Sequence, residues 1–202
     1  MEKFYISDFC SLRNNKVFKN GEEIYSDVAS DSIKDFAKGL YKSLDLKYPK
    51  FHKMDELCKL GFLATEVLIS QLENIDQDTA LVLSNRASSL DTDRKHQVSI
   101  DDRANFYPSP AVFVYTLPNI IMGEISIKNK LKSENAFFVS EQFDPEFIAN
   151  YSKALLQTGK ASNVICGWVD LDNDKYDVFL AFLSKKGRKE LTKKELNNLY
   201  NQ

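Results

Sequence analysis

Apolar positions along the chain change period repeatedly. Lys3–Cys10 alternates apolar with polar residues, the pattern of a strand with one buried face. Lys19-Asn20-Gly21-Glu22 follows as a tight hairpin turn between short strands at Lys16–Phe18 and Glu23–Tyr25. The period then becomes helical: Ile33, Phe36, Ala37, Leu40 and Leu44 fall on one face behind a cap at Ser30 or Asp31, and the helix stops before Pro49. Over Asp55–Leu72 the apolar stripe widens until it nearly encircles the helix, which places that helix between layers. Thr79–Ala87 reads as a buried strand, and Ser88–Tyr107, polar and without period, as a long loop. A helix led by Pro118-Asn119 precedes a strand over Ala136–Glu141. Asp144-Pro145-Glu146 then opens a helix with Asp as N-cap and Pro at the first helical position, and Gly159 ends it. Val164–Leu171 and Tyr176–Ser184 are strands joined by Asp172-Asn173-Asp174, and Thr192 to Glu195 is a capping box for a last helix over Lys193–Tyr200. Strands that are continuous apolar runs, alternating with helices, imply an α/β fold: a mixed five-stranded sheet covered by helices on both faces.

Composition narrows the function classes. The 202 residues suit one domain over 1–202, and 27 basic against 29 acidic residues give a net charge of −2, no field for nucleic acid. No apolar run is long enough for a membrane span. The start, MEKFYISDFC, is too short and too acidic for a signal peptide. Cys10, Cys58 and Cys166, odd in number and far apart, argue for a reducing compartment, so a cytoplasmic protein is expected. His52 and His96 lie in polar segments without a paired ligand, and Asp91, Asp93, Asp101 and Asp102 lack calcium-loop spacing. No metal and no cofactor are expected. Lys185, Lys186, Arg188, Lys189, Lys193 and Lys194 form a basic tail diluted by Glu190 and Glu195, which reads as a solvated surface.

The chemistry-bearing stretch is Ser109–Gln142, SPAVFVYTLPNIIMGEISIKNKLKSENAFFVSEQ. Pro118-Asn119 opens a helix containing Gly123 and Ile125-Ser126-Ile127; Glu134-Asn135 makes a turn, and the strand over Ala136–Glu141 leads to Gln142. This arrangement resembles the β-ketoacyl synthases, thiolase-fold condensing enzymes of fatty acid and polyketide assembly. The resemblance covers the whole chain, but as the N-terminal half of such an enzyme. It implies half of a thiolase-like fold and places Gln142 where the family carries its nucleophilic Cys. It also implies two catalytic histidines in the family's second half, to which nothing in this chain is similar.

A side-chain amide is neither nucleophilic nor titratable, so no acyl-enzyme forms on Gln142. Ser140 has no His or Lys placed beside it by sequence, and the three cysteines read as structural thiols in apolar elements. No catalytic residue is therefore assigned. The resemblance implies a non-catalytic subunit, a chain-length-factor-like partner of an active condensing enzyme in fatty acid or polyketide-type biosynthesis. Two alternatives stay open: an acyltransferase (a 3-oxoacyl carrier-protein synthase) completed by a separate polypeptide, and a stand-alone interaction domain. The expected partners are a second copy or a ketosynthase, with an acyl carrier protein as a further candidate. The expected dimer interface is Pro118, Asn119, Asn135, Phe137, Phe138, Ser140 and Gln142. In the family, the strand before the nucleophile pairs antiparallel with its twin across the dimer two-fold.

Overall fold

A computed structural model of the chain describes residues 2–72, 75–104 and 106–202. The first strand, β1 (Tyr5–Arg13), runs three residues beyond its expected end, and this extension carries the hairpin strands β2 (Lys16–Lys19) and β3 (Glu22–Ser26) into the main sheet. A two-residue β8 (Lys189–Glu190) adds to the start of β1. With β4 (Thr79–Asn85), β5 (Asn135–Val139), β6 (Asn163–Asp172) and β7 (Lys175–Ser184), the sheet has eight strands in place of the five expected. Its order is β3-β2-β1-β7-β6-β4-β5, with β8 beside β1. The β5, β4 and β6 strands are parallel, and the others pair antiparallel.

Helices cover both faces, as the continuous apolar strands require. In β4, Leu81 and Leu83 face one core while Ala80 and Val82 face the other. In β6, Ile165 and Val169 face the first and Val164, Cys166 and Trp168 the second. The first core lies under α1 (Ile33–Ser43), α2 (Glu56–Ile69) and α5 (Ile120–Asn129). The second lies under α6 (Pro145–Gln157) and α7 (Lys193–Tyr200).

Every residue of α2 from Leu57 to Leu68 is buried. That explains the near-circular apolar stripe: α2 packs on β1, β6 and β7 below and on α1 and α5 at its sides. A Cβ on Gly61 would stand 2.1 Å from Ile121 Cδ1, so glycine sets the close crossing of α2 and α5. Truncating a core residue such as Leu60, wholly buried, costs about 2–5 kcal/mol. Caps fall where the side chains dictate, with one shift: Ser32 caps α1, not Ser30 or Asp31, while Asp55, Asp144 and Thr192 cap α2, α6 and α7.

The stretch Ser88–Tyr107 is not a loop throughout. Leu90–Asp101 forms the helix α3, followed by the short α4 (Pro110–Val114). Only Thr92 of α3 is buried. The helix is held by polar contacts instead: Thr92 Oγ1 donates to Asp55 at 2.7 Å, Lys95 pairs with Glu56 at 2.8 Å, and Arg94 bridges Asp91 and Asp172 at 2.8 Å each. A helix fastened by ion pairs leaves no apolar period in the sequence to read.

Candidate functional site

The parallel part of the sheet brings the chemistry-bearing stretch to one place. The parallel part begins at β4; the chain returns as β5 on one side of it and crosses to β6 on the other. In open α/β sheets, sites form beyond the carboxyl ends of strands at such a reversal. The segment beyond β5 is Ser140 to Asp144. It is pinned at its start by Ser140 N–H donating to Asn85 O at 2.9 Å, and at its end by Asp144, whose carboxylate accepts from the amides of Glu146 and Phe147 at 3.0 Å each.

Gln142 lies exposed in this turn, two residues ahead of the α6 cap. It lines a cleft of about 710 Å³ with Ser140, Phe143, Asp144 and, from α7, Lys193 and Asn197. No His or Cys lines it. Lys193 is tied to Glu146 at 2.5 Å. The Ser140 hydroxyl donates to the carbonyl of Gln142 at 2.9 Å, a turn contact with no base beside it. The α7 contribution was not legible in the sequence, where Lys193 and Lys194 read as a solvated tail. The wall they form depends on packing α7 against α6.

The other reactive residue types lie on other elements. Cys10 on β1 and Cys166 on β6 are fully buried, and burial pushes both thiols up to about 12. Cys58 on α2 is also raised by burial and by the carboxylate of Asp55 beside it. His52 meets the rings of Tyr41 and Phe51 edge to face, and His96 on α3 lies against Phe113 at 5.4 Å between ring centres. Glu124, 4% exposed on α5, is a buried charge that the sequence reading missed. It accepts from Tyr115 Oη at 3.1 Å and pairs with Lys50 at 3.0 Å, a structural triad. No cluster of three metal-ligating side chains occurs among the described residues.

The expected interface residues divide into two sets. Asn135, Phe137, Phe138, Ser140 and Gln142 lie along β5 and its exit, while Pro118 and Asn119 sit at the start of α5. The two elements touch where Asn135 Nδ2 donates to Ser126 Oγ at 3.4 Å. The β5 strand closes one margin of the sheet, and among the described residues no strand pairs with its outer side. Leu81 N–H donates to Glu134 O and Ser140 N–H to Asn85 O, so residues 134, 136, 138 and 140 turn their amides toward β4. The N–H and C=O groups of Asn135, Phe137 and Val139 therefore point outward. The aromatic side chains are occupied within the chain: Phe138 packs on Phe147 and Tyr151 at 4.7 and 5.2 Å, and Phe137 joins the core under α5. Most exposed large hydrophobic side chains of the described residues fall between Leu90 and Phe147, among them Phe106, Tyr107, Phe113 and Ile127.

Comparison with solved structures gives the class of fold that this arrangement belongs to: ketosynthase-like, with a thiolase-like half-fold as the part this chain supplies. The ishigamide ketosynthase/chain length factor matches at a TM-score of 0.63 and 16% identity, over 90% of this chain and 61% of that one. A type II polyketide synthase acyl-carrier protein in complex with its ketosynthase, bound to the hexaketide, matches at 0.60 and 11%, over 91% and 62%. A ketosynthase in complex with its chain length factor from Xenorhabdus doucetiae matches at 0.59 and 12%, over 98% and 90%. The chain thus spans about three-fifths of the first two matched chains. No family model matches the sequence, and no curated protein does. No described helix is long and apolar enough to cross a membrane.

Proposed function

We propose that this chain is a non-condensing ketosynthase-fold subunit, a chain-length-factor-like partner of an active condensing enzyme in fatty acid or polyketide-type synthesis. The observation that carries the reading is Gln142: an exposed amide at the exit of β5, in a cleft that no thiol and no imidazole lines. Condensation through an acyl-enzyme needs a thiolate to carry the acyl group and proton donors at the thioester carbonyl. This cleft offers an amide, a serine without a base, two lysines and carboxylates.

What the chain offers instead is a surface. The open β5 edge and the exposed apolar side chains between Leu90 and Phe147 suit pairing with another chain of the same fold, either a second copy or a ketosynthase. The interface of this reading is Pro118, Asn119, Asn135, Phe137, Phe138, Ser140 and Gln142. The neighbours named as ketosynthase/chain length factor pairs favour such an assembly, and the one solved with its acyl-carrier protein makes a carrier protein a further partner.

The test is turnover by the pure chain on radiolabelled malonyl- and acyl-carrier substrates. Neither wild type nor Gln142→Cys is expected to condense or decarboxylate, because the variant restores a thiol but no imidazole. Turnover of the wild type well above the uncatalysed rate would replace this reading with that of an acyltransferase.

A further inference from the structure

The helix α3 is held in a different way from the helices that cover the two cores. Of its 12 residues only Thr92 is buried, and Val98 is 74% exposed. Where α2 meets the core along its length, α3 rests over gaps. On one side lies a cavity of about 200 Å³ between Met54, Asp55, Thr92, Val112 and Tyr115. On the other lies one of about 450 Å³ between Lys34, Asp91, Arg94, Leu171 and Asp174. Glu56 and Lys95 line both, so their ion pair at 2.8 Å is the partition between the two.

The root of the helix is built on the opposite principle. Asn85, wholly buried at the end of β4, accepts from Ser88 N–H at 2.9 Å and donates to Ser88 C=O at 2.8 Å. Asp170 on β6 accepts from the amides of Arg86 and Ala87 at 2.9 Å each. Ser88 itself is left-handed, with φ of 53°, a conformation that a serine keeps where its surroundings impose it. Ser89 is buried, and its Oγ donates to the carbonyl of Thr116. The chain up to Ser89 is therefore fixed, and α3 departs from a rigid anchor.

Beyond that anchor the fastenings are mostly charges. Arg94 bridges Asp91 and Asp172, Lys95 meets Glu56, and Asp91 also accepts from the amide of Asn173 at 3.1 Å. The Arg94 and Lys95 side chains are 43% and 56% exposed, within reach of counter-ions. Exposed pairs of this kind are weak and are screened by salt. The hydrogen bond from Thr92 to Asp55 at 2.7 Å is the part-buried exception.

We infer that α3 is a strap hinged at Ser89, closed by exposed ion pairs and released by ionic competition, over an apolar floor of Met54, Val112 and Tyr115. The elements of the two cores are held by apolar burial, which salt does not screen. The strap therefore opens as a unit of its own while the sheet stays closed. Opening leaves a trough with that apolar base and with Lys53, Asp55 and Glu56 at its rim.

The experiment is amide hydrogen exchange of the purified full chain, read by mass spectrometry on peptides from α2, α3, β4 and β6. It is run at about 0.01 M and about 1 M sodium chloride, where the Debye length falls from ~30 Å to ~3 Å. Exchange within Leu90–Asp101 is expected to be faster by about fivefold or more in high salt, with α2, β4 and β6 unchanged. Lys95→Met and Asp172→Asn each remove one fastening and keep the approximate shape of the side chain. Each is expected to speed exchange of α3 by about threefold at low salt and to shrink the salt effect. Circular dichroism and thermal unfolding confirm that the variants fold, and the wild-type salt series stands without them.

Exchange of α3 that salt leaves unchanged overturns the strap, and so does an equal rise in α2, β4 and β6. A salt effect that both variants leave intact overturns the ion pairs as its fastening. One that disappears when the protein is concentrated about tenfold belongs to dissociation of copies and overturns the hinge as well.

Discussion

The two margins of this sheet are built on opposite plans. The β3 margin carries Glu22 and Glu23, an ion pair from Lys16 to Glu23 at 2.8 Å, and a register shift between Val17 and Phe18 where it joins β2. Charge and irregularity of this kind keep a strand from recruiting another. The β5 margin reads Asn-Ala-Phe-Phe-Val, with no charge inside the strand and regular pairing on its inner side. Its nearest charges, Glu134 and Glu141, stand just outside it. Within one sheet, one edge is defended and the other is left open. That difference teaches more about function than either edge alone, because an undefended apolar edge is a hazard unless a partner covers it.

The largest expected effect is chemical and sharpens the β5 side. The thiol introduced by Gln142→Cys sits exposed at the exit of β5, where Glu141 and Asp144 oppose the dipole of α6. It should react with iodoacetamide at an ordinary thiol rate. The native thiols are buried, those of Cys10 and Cys166 with pKa values pushed up to about 12. They should react only through opening of the fold, slower by ~10³-fold or more. Mass spectrometry of the labelled native protein distinguishes the sites. Native labelling of Cys166 at a comparable rate would contradict the structure.

A smaller effect tests the edges directly. Val139, 58% exposed, and Ile24, 47% exposed, occupy comparable positions on the two margins. Val139→Lys puts a charged side chain on the open β5 edge of each copy and should weaken dimerisation by about tenfold or more, read by light scattering. Ile24→Lys should leave association unchanged. Equal effects at both sites would break the comparison.

The smallest effect concerns pH. Glu134, just ahead of β5, accepts from Tyr151 Oη at 2.7 Å and lies 3.4 Å from Lys160. The Tyr151 hydrogen bond, with help from Lys160, holds its carboxyl below the ordinary value of 4.5. The contact therefore contributes stability above the unfolded-state value, and that contribution is lost as pH falls through the depressed folded-state value. Solvent screening keeps it small: Glu134→Gln should lower the unfolding temperature by about one degree near neutral pH and not at all in strong acid. A loss that persisted in strong acid would mean that the ionised carboxylate is not its source.

The sequence by itself determined the long strands, the encircled helix and the caps of α6 and α7, because burial writes apolar periods and caps write side-chain signatures. The resemblance carried by Pro118-Asn119 to Gln142 was legible for the same reason: those residues are contiguous along one strand and one helix. Tertiary structure alone decided the rest. The helix α3 is fastened by ion pairs to α2 and to the β6–β7 hairpin, and polar residues facing distant partners leave no local period. The hairpin strands β2 and β3 joined the sheet through three extra residues of β1, a boundary that no composition marks, and β8 joined through pairing with the start of β1. Lys193 and Asn197 reached the cleft at Gln142 only through the packing of α7 on α6. Gly61 and Gly123 are the same letter in two helices, and only their surroundings, one filled by Ile121 and one open, tell them apart.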